Sequence, residues 1–157
     1  MKEIKPPETV EKIGDRTSIF LAGSIEMGKA EDWQSMIPTL FEERKDLTFL
    51  NPRRDDWDSS WSQDESNPKF NEQVNWELDH LFKADYIFLY LSPETKSPIS
   101  LLELGLFAES GKLIVCCPDG FWRKGNVDII CSRWGIPVFD TMDRAVGHLR
   151  TKLTNVK

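Results

Sequence analysis

One carboxylate sits among residues that offer it little water. Glu103 lies in Ser100-Leu-Leu-Glu-Leu-Gly-Leu-Phe-Ala-Glu-Ser-Gly111, flanked by Leu101, Leu102, Leu104, Gly105, Leu106 and Ala108. Burying an unpaired carboxylate is costly, so its presence needs a reason. An acid in the first turns of a helix is favoured by the helix dipole. That accounts for the position but not for the apolar neighbours. Two more acids, Glu77 and Asp79, lie in Asn75-Trp-Glu-Leu-Asp-His80. Glu77 adjoins Leu78 and can stand at the rim of a core; Asp79 reads as a solvated side chain. Two carboxylates meeting across a cleft suit glycosidic chemistry, one as nucleophile and the other moving protons. Sequence spacing alone does not bring Glu77 and Glu103 together.

Other groups are weaker candidates. Gly23-Ser24-Ile25-Glu-Met-Gly28 is a small-residue turn whose N–H groups could hold a phosphate or a sugar hydroxyl. It lacks the spacing of a dinucleotide fingerprint. Arg53 and Arg54 could clamp an anion or pair with Asp55 and Asp56. Trp57 and Trp61 could stack on a flat base or staple their own loop. Cys116 and Cys117 occupy consecutive strand positions and should face opposite ways. They read as small core residues.

The elements that would position these groups alternate along the chain. Apolar, β-rich runs predict strands at Ser18–Gly23, Thr48–Leu50, Tyr86–Leu91, Leu113–Cys117 and Ile136–Phe139. Helical spacing predicts helices at 31–44, with Trp33, Ile37, Leu40 and Phe41 on one face, and at 70–83, with Val74, Leu78 and Leu81 inward. Further helices are predicted around Glu103, from an Asn126 cap to Trp134, and from a Thr141 cap to Leu153. This alternation predicts an α/β fold: one open, parallel, five-stranded sheet with helices on both faces, Rossmann- or flavodoxin-like. Ligands of such sheets bind beyond the carboxyl ends of the strands. The loops there are 23–28, 51–69, 92–100 and 118–125. Residues 1–17 read as a polar arm, and 18–157 as the domain.

Composition narrows the function. The 157 residues carry a net charge of -6, and the pI is about 5.0. That argues against a nucleic-acid polymer as partner, which needs a basic face. The three Cys show no metal-ligand spacing, and a reducing, cytoplasmic setting is the simplest reading. No apolar run is long enough to span a membrane.

Leu102-Glu-Leu-Gly-Leu-Phe-Ala-Glu-Ser-Gly-Lys-Leu-Ile-Val-Cys-Cys-Pro-Asp119 resembles the nucleophile segment of the nucleoside 2-deoxyribosyltransferases. Phe20-Leu-Ala-Gly-Ser-Ile-x-x-Gly28 resembles the opening turn of the related 2'-deoxynucleoside 5'-monophosphate N-glycosidases. The segment from Phe70 to Asp85 resembles the family's second helix, with Glu77 at its acidic position. The resemblance implies a covalent, retaining mechanism in which Glu103 attacks the anomeric carbon of a 2'-deoxynucleoside(tide), and another base then takes the deoxyribose. Glu77 would orient the sugar or help move a proton. It also implies contacts to substrate from Gly23, Ser24, Ile25, Asn51, Arg53, Trp57, Ser97 and Asn126. Neither metal nor organic cofactor is implied, and a homodimer or larger homo-oligomer is. Two positions depart from the family pattern: Phe20 replaces a Tyr, and Ser97 replaces an Asp. Hydrolysis, with water as acceptor, and a catalytically silent nucleotide-binding module are the alternatives.

Overall fold

The computed structural model describes residues 1–9, 14–25 and 31–154. Its strands are β1 (Lys2–Ile4), β2 (Thr17–Gly23), β3 (Leu47–Leu50), β4 (Tyr86–Tyr90), β5 (Leu113–Cys116) and β6 (Val138–Phe139). The helices are α1 (Trp33–Thr39), α2 (Pro68–Lys83), α3 (Pro98–Phe107), α4 (Lys124–Trp134) and α5 (Met142–Thr154). All strands run parallel in the order β1-β3-β2-β4-β5-β6. Without β1 this is the flavodoxin-like order, which reverses direction between β2 and β4.

The α/β architecture is the one expected, with six strands in place of five. The additional strand is β1, inside the stretch read as a polar arm. Lys2, Glu3 and Ile4 pair with Thr48, Phe49 and Leu50, and Ile4 is fully buried. The arm stays down because Trp76 Nε1 donates to the Glu8 carbonyl at 2.8 Å.

Each sheet face carries its own core. One gathers Phe20, Leu89, Trp76, Leu104 and Val127 beneath α2, α3 and α4. The other gathers Leu21, Phe88, Ile37 and Leu149 beneath α1 and α5. Cys117 belongs to the first and Cys116 to the second, the opposite facing that strand alternation requires.

Three helices differ from expectation. α1 stops at Thr39 rather than 44; Pro38 lies in its last turn and supplies no N–H. Leu40 is consequently exposed while Phe41 still packs inward. α2 turns Gln73, Trp76, His80 and Leu81 to the core, leaving Val74 and Leu78 half-buried. The arm lying over Trp76 shifts that face. α4 begins at Lys124, so Asn126 stands inside the helix and does not cap it.

Candidate active site

The site lies where the sheet order reverses. Gly23 ends β2 opposite Tyr90 of β4. Its φ of 137° is left to glycine, and a Cβ there would run into the Tyr90 carbonyl oxygen. The next residue ties two loops together. Ser24 Oγ accepts from the Ser92 N–H at 2.9 Å. It also lies 2.7 Å from Thr95 Oγ1 and 2.6 Å from Ser97 Oγ. Thr95 Oγ1 and Ser97 Oγ are 2.7 Å apart. The three hydroxyls thus close a buried ring between the loop after β2 and the loop after β4. Ser97 adopts φ 45° and ψ 52°, a left-handed conformation uncommon for serine, just before Pro98 opens α3. The ring therefore sets how the Glu103 helix enters.

Within α3, Ser100, Glu103, Leu104 and Phe107 form the buried stripe at helical spacing. Glu103 is on that stripe and is 9% exposed. Burial, with the nearby negative charge of Glu77, pushes its carboxyl up to about 8. Glu77 on α2 is half-buried. Burial pushes it up to about 7, against the opposing hydrogen bond from Gln73. Each carboxylate is raised for the same reason: water is largely excluded. The charge of Glu77 acts on Glu103, so helices α2 and α3 bring the two acids into one site. Each acid therefore keeps its proton to higher pH than a free carboxylate, and the two titrate as a coupled pair.

The remaining candidates fall into place around the pair or apart from it. Ile25 is half-buried at the end of the described turn, and Gly28 lies outside the described residues. Asn51 is fully buried; its amide donates to Glu3 at 2.7 Å and accepts from the Arg53 N–H at 3.0 Å. Both ends of that amide thus serve the backbone arm and loop. Arg53 pairs with Asp32 at 3.2 Å and donates to the Glu31 carbonyl at 3.2 Å. Arg54 has no exposed side-chain surface and pairs with Asp56 at 2.7 Å and Glu72 at 2.9 Å. Trp57 meets Trp61 edge-on at 5.2 Å, and Arg54 lies over the Trp61 ring. The Trp57 indole N–H is buried without a hydrogen-bond partner among the described residues. Asn126 is exposed and lines a cleft of about 270 Å³ between α3 and α4 with Leu101, Leu104 and Trp122. Phe20 fills core space against Trp76, with ring centres 6.2 Å apart. Among the described residues no group of His, Cys, Asp or Glu is arranged to hold a metal ion.

Two participants escaped the sequence reading. Thr95 closes the hydroxyl ring, and nothing in its local sequence marks it. Gln73 lies four residues before Glu77, a spacing that places both on one helix face, and it bonds Glu77 Oε1 at 2.7 Å.

An open parallel sheet whose order reverses between β2 and β4 is an α/β architecture, and its ligands bind beyond the carboxyl ends of the strands. The sequence model of the family described as nucleoside 2-deoxyribosyltransferase like matches residues 16–121, a span that holds β2 to β5 and both acids. The chain belongs to that family. A conserved protein from Enterococcus faecalis V583, solved by crystallography, is similar in fold, with a TM-score of 0.62 at 12% identity. The likeness covers 87% of this chain and 99% of that one. The comparison with curated proteins found no match.

Proposed function

We propose that this protein cleaves the N-glycosidic bond of a 2'-deoxynucleoside or deoxynucleotide through a glycosyl-Glu103 intermediate and transfers the deoxyribose to another base. The observation that carries this reading is the buried Glu103 of α3 within reach of the charge of half-buried Glu77 on α2. A Glu103 carboxylate oxygen bonds to the anomeric carbon while the carbon–nitrogen bond breaks, its electron pair leaving with the base. An incoming base nitrogen then displaces the carboxylate, restoring configuration in two inversions. Glu77 carries the proton traffic or holds the sugar. Gly23, Ser24, Ile25, Asn51, Arg53, Trp57, Ser97 and Asn126 remain the proposed surroundings of the substrate, with Asn51 and Ser97 acting through the loops they brace.

The test is to incubate the protein with deoxynucleosides and their monophosphates, with and without a free base, and follow base release and exchange. Exchange that requires an acceptor supports transfer. Release without one replaces transfer by hydrolysis, and binding without turnover replaces both by a silent module.

Ionisation of the nucleophile predicts the pH profile. Protonated Glu103 cannot attack, so kcat/KM should rise with pH and level off above about 8. Glu77→Gln removes a like charge and should move this acid limb to lower pH, whatever it does to the maximum rate. A limb that stays in place would exclude Glu103 as the titrating group.

Self-association and a cytoplasmic location belong to the same proposal. α3 presents Ile99, Leu102 and Leu106 to solvent, and Phe82 of α2 is likewise exposed. An apolar face of this kind is commonly covered by a partner. Light scattering should find a homo-oligomer that Leu102→Glu reduces to monomer; an unchanged mass would mean that this face is not the interface. Among the described residues no helix is long and apolar enough to cross a membrane.

A further inference from the structure

Gln73 is 5% exposed and sits between the loop after β3 and the acid pair. Its Nε2 donates to the Pro52 carbonyl at 2.8 Å and to Glu77 Oε1 at 2.7 Å. The amide orientation follows from chemistry. A carbonyl can only accept, so the nitrogen must face Pro52 and the second N–H is left for Glu77. The cost is visible on the other side: Gln73 Oε1 is buried with no partner among the described residues. An unsatisfied buried acceptor costs about 1–3 kcal/mol, and the fold tolerates it while keeping both N–H bonds.

We propose that Gln73 is a positioning residue whose amide, anchored on the Pro52 carbonyl, keeps Glu77 as the charged member of the acid pair and leaves the shared proton on Glu103 until substrate arrives. The inference rests on the reading of Glu77 and Glu103 as the reacting pair. A carboxylate accepting an N–H bond is stabilised in its charged form, and the bond opposes the effect of burial. Among the described residues other charges do not compete for this role. Among the described residues Glu103 responds to Glu77 alone of the charged groups, and Glu77 to burial and Gln73. From the facing loop, Arg54 is committed to Asp56 and Glu72. On α2 itself, Asp79 and Lys83 act on His80.

The anchor also ties the acid pair to the loop of Arg53 and Trp57. A ligand that moves Pro52 would loosen the Gln73 bond and raise the proton affinity of Glu77. The proton could then pass from Glu103 to Glu77, baring the nucleophile when the site is filled.

The experiment is a carbon-13 NMR titration of the glutamate carboxyls in the full chain, with Glu77→Gln and Glu103→Gln assigning the two signals. In Gln73→Met, similar in volume but without N–H donors, the Glu77 midpoint should rise and the Glu103 midpoint fall, reversing their order. Gln73→Asn retains an amide too short to span both partners and should shift them the same way. These signals report on folded protein, so partial unfolding does not imitate the result. Unmoved midpoints in both variants would overturn the proposal. The titration does not depend on turnover: reversed midpoints in a chain that cleaves no deoxynucleoside would uphold the role of Gln73 and remove the proposed reaction.

Discussion

Glu103→Gln is expected to abolish turnover and at the same time make the protein more stable in alkali. The loss of rate should be at least about 10³-fold, because the covalent route disappears with the nucleophile. No glycosyl adduct should be seen by mass spectrometry of the quenched reaction. The gain in stability follows from the ionisation of the buried acid. Its folded pKa is raised from 4.5 to about 8. The unfolded chain releases this proton near pH 4.5, whereas the folded chain holds it until about pH 8. Stability is therefore fully present below pH 4.5 and is lost progressively as pH rises through 8. Glutamine keeps the shape and never ionises, so it avoids that loss. The ceiling is about 5 kcal/mol above pH 8, at roughly 1.4 kcal/mol per unit of pKa shift, and coupling to Glu77 lowers it. Thermal melts of both proteins at pH 5 and pH 9 provide the check. They should nearly coincide at pH 5 and separate at pH 9 by on the order of 10 °C. A variant that is inactive and also less stable at pH 9 would mark Glu103 as a structural acid. A variant that retains activity would end the proposed mechanism.

Gly23→Ala should have the largest effect on folding. Two independent obstacles meet there. The φ of 137° lies where side chains other than hydrogen are strained, and the added methyl would collide with the backbone of Tyr90. Backbone atoms in the middle of a sheet cannot step aside as a flexible side chain can. The strands would have to part between β2 and β4, where the hydroxyl ring and the α3 entry are built. A loss above about 4 kcal/mol is expected, enough to leave little folded protein. Gly135→Ala is the matched control. Gly135 also has positive φ, at 64°, but has open space around its Cβ position. It should lose only about 1 kcal/mol. Chemical denaturation of the two variants decides the matter; equal losses would mean that the contact with Tyr90 does not govern.

How much of this could be read in advance follows from the range of the interactions. The alternating strands and helices rest on local hydrophobic period, and the parallel sheet follows from their order. Glu103 was legible because its conflict is local: an acid among leucines. Its meeting with Glu77 was not, since the two stand on successive helices with β4 between them and only the folded sheet sets the spacing. The hydroxyl ring is harder still. Ser24, Thr95 and Ser97 are small polar residues of the kind found in any loop, and their meeting depends on the switch in strand order. Asn51 shows the opposite case. The family resemblance implied a contact to ligand, but β1, too short to show a period, brings Glu3 to its amide. β1 likewise moved the buried face of α2, by laying the arm over Trp76.

That short first strand bears on solubility. Without Lys2–Ile4, the outer strand of the sheet would be Leu47-Thr-Phe-Leu50, four buried residues with no charge. An uncovered strand of that composition offers a row of unpaired backbone groups to any similar strand in solution. β1 replaces it as the border and brings a Lys and a Glu to the rim. Lys2–Ile4 thus cover an apolar strand edge through which one sheet could otherwise extend from molecule to molecule.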